Sequence, residues 1–318
     1  MNDKTVVLNA GLVDYDGKID YSKIASEVTI YDETPEDKIL ERVQGHTIVI
    51  TKEMKVSGDI IRRFPDSVKM ICEAGTGYNN IDLDALREKG IMLTNIPAYS
   101  SKRVAHTAIL FILSLASSMQ KQIGMIANGN HDNFNKHLMV DHVEVNGKTL
   151  GLVGYGNIAQ EVIKVAQVLG MKILVSALPS DESDTDEGIT FVSKEVLYKE
   201  SDFISLHLPL NKSTKYMINE ETLAMMKPSA YLINTARGPL VDEAALVEAL
   251  QNNVIAGAGL DVQEVEPLDD SSPLYNLDNA IITPHMGWRG LETRQRLVSM
   301  VGDNISAFAK GEPINKIV

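Results

Sequence analysis

The chain has 318 residues, 44% of them hydrophobic, 23% charged and only 5% aromatic, which excludes disorder and calls for a core of Val, Ile, Leu, Ala and Met. Its length fits two domains better than one. With 43 acidic residues against 30 basic ones, the formal charge of -13 repels phosphate backbones, and no basic patch offsets it, so neither nucleic acid nor a membrane surface is an expected partner. The single cysteine, Cys72, excludes an internal disulfide and any CxxC metal or redox motif, and it reads as a small buried hydrophobe. Together with the lack of a signal-peptide pattern after Met1, it points to a reducing, cytoplasmic setting. The most apolar stretch, 108–116, is about half the length of a membrane span.

In chain order, apolar runs at 5–8, 28–31, 47–51, 68–72 and 91–94 read as buried strands. Helical patterns at 35–43, 57–64 and 82–89 separate them, with Ser57 and Asp82 as N-caps and Gly90 as a stop. Strand–helix alternation of this kind builds a parallel sheet with right-handed crossovers. The rhythm breaks near Pro97, and one long helical stretch follows over 102–128. A second alternating series then runs from 148 to 283, with strands expected at 149–153, 172–176, 202–207, 230–234, 255–260 and 280–283. A last helix over 292–310 carries Leu297, Met300, Val301, Ile305 and Phe308 on one face. The expected class is α/β, with two Rossmann-like, doubly wound parallel-sheet domains. Either one domain is inserted into the other, or two follow in sequence with a boundary near 145.

The strongest local signal is Gly154-Tyr155-Gly156-Asn157-Ile158-Ala159 between the strand at 149–153 and a helix at 157–169. Gly154 permits the tight turn, Gly156 lets backbone approach a pyrophosphate, and Ala159 packs the helix on the strand. Free N–H groups near Asn157 and Ile158 then face the anion. The acid that usually follows the second strand of such a unit is replaced by Ala177. Asp181, Glu182 and Asp184 lie just beyond and disfavour an extra phosphate, so NAD is the expected cofactor, with NADP a possibility.

Three further segments each follow an expected strand: Asn234-Thr235-Ala236-Arg237-Gly238, Leu260-Asp261-Val262 through Glu266-Pro267, and Pro284-His285-Met286-Gly287-Trp288. Ligands of open parallel sheets sit beyond the carboxyl ends of strands, where these segments would meet. Reducing a 2-keto acid needs a cation for its carboxylate and carbonyl, and a proton donor. Arg237 offers the first, His285 the second, and Glu266 a partner that orients the imidazole and stabilises its charged form. Taken singly, each residue also fits a plain structural role. His131, His137 and His142 read as a solvated loop rather than a metal site, and no metal is expected.

Together, and in this order, these segments resemble the D-2-hydroxyacid dehydrogenase family over essentially the whole chain, most of all its glycerate dehydrogenase/hydroxypyruvate reductase branch. The resemblance implies an NAD(P)-binding domain at 100–286 inserted into a substrate-binding domain formed by 1–99 and 287–318. It implies that Arg237 binds substrate, that His285 is the acid/base and that Glu266 supports it. Thr76 and Gly77, in Ala74-Gly75-Thr76-Gly77-Tyr78-Asn79-Asn80, match the loop whose N–H groups take the substrate carboxylate. Cofactor contacts carried over are Val104, Gly154, Tyr155, Gly156, Asn157, Ile158, Thr235, Ala236, Arg237, His285 and Gly287. Asp261 matches the residue facing the nicotinamide amide, and His207-Leu208-Pro209 the adenine side. The stretch after Pro97 resembles the segment through which such enzymes form homodimers. Arg103-Val104-Ala105-His106-Thr107 is one residue shorter than the usual Ser-Val-Ala-Glu-His-Thr and lacks its acid. After Lys316 no regulatory domain of the kind appended to some phosphoglycerate dehydrogenases is expected.

Within that family, hydroxypyruvate reduced to D-glycerate is the expected reaction, with glyoxylate as a side substrate. Glu73 stands where phosphoglycerate dehydrogenases carry an arginine, and its charge would repel a substrate phosphate. Trp288 either closes over a small polar substrate or packs at a domain junction. Alternatives are a D-3-phosphoglycerate or D-lactate-type dehydrogenase, and, in another class, a dinucleotide-sensing binding protein that keeps the catalytic residues. Formate dehydrogenase is disfavoured because it carries Gln where Glu266 stands.

Overall fold

The computed structural model describes residues 4–22, 24–176, 183–184 and 188–318. Met1–Ser100 with Trp288–Val318 form one compact unit, and Ser101–Gly287 form a second. The first is built on β1 (Thr5–Val7), β2 (Val28–Ile30), β3 (Ile48–Thr51), β4 (Met70–Glu73) and β5 (Met92–Thr94), a five-stranded parallel sheet in the order β2-β1-β3-β4-β5. β1, β3 and β4 are buried along their whole length because crossovers cover both faces, and this explains why they read as continuous apolar runs. Its crossover helices are α1 (Ile39–Arg42), α2 (Gly58–Arg62) and α3 (Leu83–Lys89). Asp82 caps α3 by accepting the Ala85 N–H at 2.9 Å, and Gly90 ends it in the left-handed region at φ 64°. Ser57 does precede α2, but contrary to expectation its side chain makes no capping bond.

The second unit holds α4 (Ser101–Ala116), α5 (Met119–Ala127), α6 (Asp132–Asn135), β6 (Thr149–Val153), α7 (Asn157–Val168), β7 (Lys172–Ser176), β8 (Ser183–Asp184), β9 (Ile189–Phe191), α8 (Lys194–Glu200), β10 (Phe203–Leu206), α9 (Glu220–Met225), β11 (Tyr231–Asn234), α10 (Glu243–Gln251), β12 (Gly257–Leu260) and β13 (Ala280–Ile282). Its eight strands run β13-β12-β11-β10-β6-β7-β9-β8, all parallel except β8. The doubly wound α/β class expected from the sequence is what forms. β12 reads Gly-Ala-Gly because its neighbours leave no room: a Cβ on Gly259 would lie 2.7 Å from the Phe111 side chain of α4. β8 and β9 were not expected; each is too short to show a period.

The long helix expected over 102–128 is in fact two, α4 and α5, bent by 66°. Ser118 lies in the left-handed region at φ 47°, and its hydroxyl donates to the Asp141 carbonyl at 2.7 Å. The Val143 N–H takes the Ala116 carbonyl, so outside partners replace the helical ladder at this point. Among the described residues no single helix is long and apolar enough to cross a membrane.

The chain ends in α11 (Leu291–Ala309), which returns to the first unit. Leu297, Val301 and Ile305 bury the expected apolar face in one core with Val7, Ile48, Ile50 and Met70. Cys72 belongs to that core, and burial pushes its thiol up to about 11, which keeps it inert.

Candidate active site

In the second unit the strand order reverses between β6 and β10, the switch point at which open α/β sheets bind ligands. The β6–α7 turn lies there. Gly154 has φ 106°, and a Cβ on it would fall 2.5 Å from the His207 carbonyl oxygen, so both conformation and space demand glycine. Gly156 faces open space, as a ligand cradle requires, and Ala159 is fully buried on the inner face of α7. Tyr155 packs edge-on against Phe191, while Asn157 and Ile158 begin α7 with N–H groups that lack intrahelical partners. His207, Leu208 and Pro209 follow β10 directly; burial lowers the His207 imidazole to about 4, so it is neutral, 2.9 Å from the Ser205 hydroxyl. These residues fit a dinucleotide. Ala177, Asp181, Glu182 and the Asp184 side chain lie outside the described residues. Val104, on the first turn of α4, is 7% exposed.

After β11, Asn234 folds back on its own turn: its amide donates to the Arg237 carbonyl at 2.8 Å and its oxygen accepts the Ala236 N–H at 3.1 Å. The Thr235 hydroxyl is buried without a partner among the described residues. The next residue after Arg237, Gly238, lies against the 262–267 loop so closely that a Cβ on it would come within 1.7 Å of the Gln263 carbonyl oxygen. This contact ties the Arg237 turn to the segment carrying Glu266. There the Gln263 N–H donates to one oxygen of Glu266 at 3.1 Å, and the other oxygen meets His285 Nδ1 at 2.8 Å. His285 itself has φ 49°, a left-handed conformation unusual for a residue with a Cβ. Asp261 holds it in place: its carboxylate accepts the Thr283 hydroxyl at 2.6 Å, the Met286 N–H at 2.8 Å and the Gly287 N–H at 2.7 Å. Both Asp261 oxygens are thus committed to the loop that aims His285, a role the sequence did not indicate.

In the first unit, Thr76 and Gly77 follow β4. The Thr76 hydroxyl donates to the Ile96 carbonyl and the Asn95 amide to the Thr76 carbonyl, at 2.9 and 2.8 Å. Among the described residues neither the Thr76 nor the Gly77 N–H has an acceptor. The reading of Glu73 as a free charge needs correction. Glu73 is fully buried, and its carboxylate accepts the Thr51 hydroxyl, the Glu53 N–H and the Asn80 amide at 2.7, 2.8 and 3.1 Å. Burial pushes its pKa up, while Lys52 and these three donors pull the other way. Lys52, which sequence reading passed over, is 3% exposed and paired with Glu53, with its ammonium 3.9 Å from the centre of the Trp288 ring. Burial opposes its charge, but Tyr99, Glu53 and Glu73 hold it above the ordinary lysine range. A register that sets Thr51 opposite Glu73 brings this cluster together.

A glycine-rich turn at a sheet switch point and a carboxylate-supported histidine after the edge strand β13 of the same sheet define a dinucleotide-dependent dehydrogenase. Residues 109–287 match the D-isomer specific 2-hydroxyacid dehydrogenase NAD binding domain. Across its length the chain is 33% identical to a hydroxypyruvate reductase of Blautia hydrogenotrophica, covering 98% of this chain and 96% of that one. It is 37% identical to a glycerate dehydrogenase of Methylorubrum extorquens, over 89% of each. The crystal structure of D-lactate dehydrogenase from Aquifex aeolicus, complexed with NAD and lactic acid, superposes with a TM-score of 0.84 at 30% identity, covering 97% of this chain and 96% of that one. The chain belongs to the D-isomer specific 2-hydroxyacid dehydrogenase family, and NAD is its cofactor.

Proposed function

We propose that the protein reduces hydroxypyruvate to D-glycerate with NADH, and glyoxylate less efficiently. The observation that carries the chemistry is the 2.8 Å Glu266–His285 pair on a loop fixed by Asp261. With Nδ1 engaged by Glu266, Nε2 is the ring atom free to give a proton to the substrate carbonyl oxygen. Arg237 binds the substrate carboxylate and polarises the carbonyl, and the N–H groups of Thr76 and Gly77 also take the carboxylate. The bound nicotinamide supplies the hydride. The Gly154–Ile158 turn cradles the pyrophosphate, Leu208 and Pro209 flank the adenine, and Ala236 lines the nicotinamide side. The names of the Blautia and Methylorubrum relatives support the choice of substrate. Glu73, buried with its oxygens bonded to Thr51, Glu53 and Asn80, is not a free charge presented to a substrate phosphate.

The deciding experiment compares kcat/KM for hydroxypyruvate, glyoxylate, pyruvate, 2-ketoisocaproate and 3-phosphohydroxypyruvate with NADH and NADPH. Hydroxypyruvate with NADH should lead. A lead for the phosphorylated acid would reassign the enzyme as a phosphoglycerate dehydrogenase, and tight dinucleotide binding without turnover would make it a sensor.

A second copy of the chain is the expected partner. Of the 17 large apolar side chains exposed among the described residues, eight lie between 110 and 139: Leu110, Leu113, Met119, Ile123, Ile126, Phe134, Leu138 and Met139. Met119, Ile123 and Ile126 share one face of α5. So dense an apolar surface marks an interface. One thiol, buried and without a disulfide partner, supports a reducing compartment such as the cytoplasm.

A further inference from the structure

The Lys52 cluster has no place in the mechanism above, yet it lies where the first unit should bind a ligand. The order β2-β1-β3-β4-β5 reverses between β1 and β3, and Lys52 is the first residue after β3. Asn9, just after β1, clamps the Lys52 backbone: its side-chain oxygen accepts the Lys52 N–H at 2.9 Å and its amide donates to the Lys52 carbonyl. The Lys52 side chain runs beneath the 74–77 loop. A Cβ on Gly75 would lie 3.4 Å from Lys52 Nζ and 3.3 Å from Glu73 Oε1, so the loop rests directly on these two side chains. The Trp288 ring face and the Glu53 carboxylate fix the ammonium in place.

The charges under the loop do not balance. Counted with both carboxylates ionised, Glu73 and Glu53 carry two negative charges against the one positive charge of Lys52, so a net single negative charge backs the loop whose N–H groups would take the substrate carboxylate. Without Lys52 that charge would double, in surroundings where burial keeps water from screening it. Resting on the carboxylate role of Thr76 and Gly77 given above, we infer that Lys52 is an electrostatic positioning residue for the substrate anion. It offsets Glu73 and Glu53 under the loop, and it sets how much negative charge the substrate can bring there.

The sign of the effect separates this role from simple packing. In the full-length protein, Lys52→Met should raise KM for hydroxypyruvate at least tenfold, with kcat changed less than threefold. Glu73→Gln should lower KM, because it removes a negative charge while keeping the side chain's shape. The double variant restores the original net charge and should return KM to within about threefold of wild type; it also serves if Lys52→Met alone fails to fold, since removing one carboxylate along with the ammonium leaves only Glu53 without its cation. KM for pyruvamide, a keto amide without the carboxylate, should stay constant across the set, as should the NADH dissociation constant. A rise in KM for both Lys52→Met and Glu73→Gln is the signature of damaged packing and overturns the inference, as does an unchanged KM in both. Wild-type protein that turns over no 2-keto acid overturns the functional reading itself and this inference with it, whereas turnover with the wrong signs overturns only the inference.

Discussion

His285 is held by more atoms than it uses. Its Nδ1 meets Glu266, its backbone sits at positive φ, and Asp261 bonds the hydroxyl and N–H groups on either side of it. Such over-determination is what a proton donor needs if its ring is to stay aimed through turnover. His285→Ala and Arg237→Ala should each lower kcat/KM by at least about a hundredfold, the scale of one acid/base or anchoring contact. Stopped assays with hydroxypyruvate will show it, and a His285 variant near full activity refutes the assignment. Glu266→Gln tests the pair itself. Replacing the carboxylate that orients the imidazole should lower kcat with hydroxypyruvate at least about tenfold while the dissociation constant for NADH changes little, and an unchanged kcat would show that the pair is dispensable. The Glu266–His285 contact was legible in sequence because each member follows a strand within a short, ordered motif. The Asp261 clamp was not, because its three donors lie beyond the next strand and only the fold brings them back.

At the scale of elements, the turn after β11 and the loop after β12 behave as one piece. Gly238 has no room for a side chain against Gln263, and the same loop is braced from below by Glu264, which accepts the Tyr216 hydroxyl and whose N–H donates to Glu243 at 3.0 Å on the first turn of α10. Gly238→Ala must therefore push the 262–267 loop away or shift Arg237. We expect kcat to fall at least tenfold while the dissociation constant for NADH changes little, measured by fluorescence titration beside steady-state rates. Equal kcat would show that the loop yields without disturbing Glu266. Elsewhere, strands were legible and their ends less so: the strands expected at 202–207 and 255–260 form only over Phe203–Leu206 and Gly257–Leu260, because ladder bonds to the neighbouring strands and not residue type set where they stop. The break between α4 and α5 was hidden because Ser117-Ser118 are tolerated in a helix until a partner such as the Asp141 carbonyl competes for the hydroxyl.

For the whole molecule, pH and association give two further tests. His207 is neutral in the folded chain, with a pKa lowered to about 4, whereas an unfolded histidine titrates near ~6.5. Above pH ~6.5 both states are unprotonated and the group leaves stability unchanged; as pH falls toward 4 only the unfolded chain takes up the proton, so stability declines, by at most about 1.4 kcal/mol per pH unit, and the decline stops below that range. His207→Gln should remove this component: urea midpoints at pH 7 and pH 4.5 should lie closer together than in wild type, and equal spacing would count against it. The apolar surface of α4–α6 predicts a particle of twice the 34.9 kDa chain mass by light scattering. Ile123→Asp combined with Ile126→Asp should yield monomer, and an unchanged mass would place the interface elsewhere.

The sequence by itself determined what short-range patterning determines: alternating buried strands and crossover helices, the glycine turn with the helix that follows it, and the Arg, Glu and His motifs. Each depends on residues within about ten positions of one another, where periodicity and turn chemistry act. Only the tertiary structure decided which distant groups meet. Glu73 was read as a free repelling charge, yet the register of β3 on β4 turns it toward Thr51, and the chain reversal at Glu53 supplies a backbone donor. Lys52 carried no signal in sequence, and it is Trp288, from the far end of the chain, whose ring lies 3.9 Å from its ammonium. The energy of a buried charge depends on every neighbour within a few ångströms, and those neighbours are chosen by sheet order and chain return, which no local window of sequence contains.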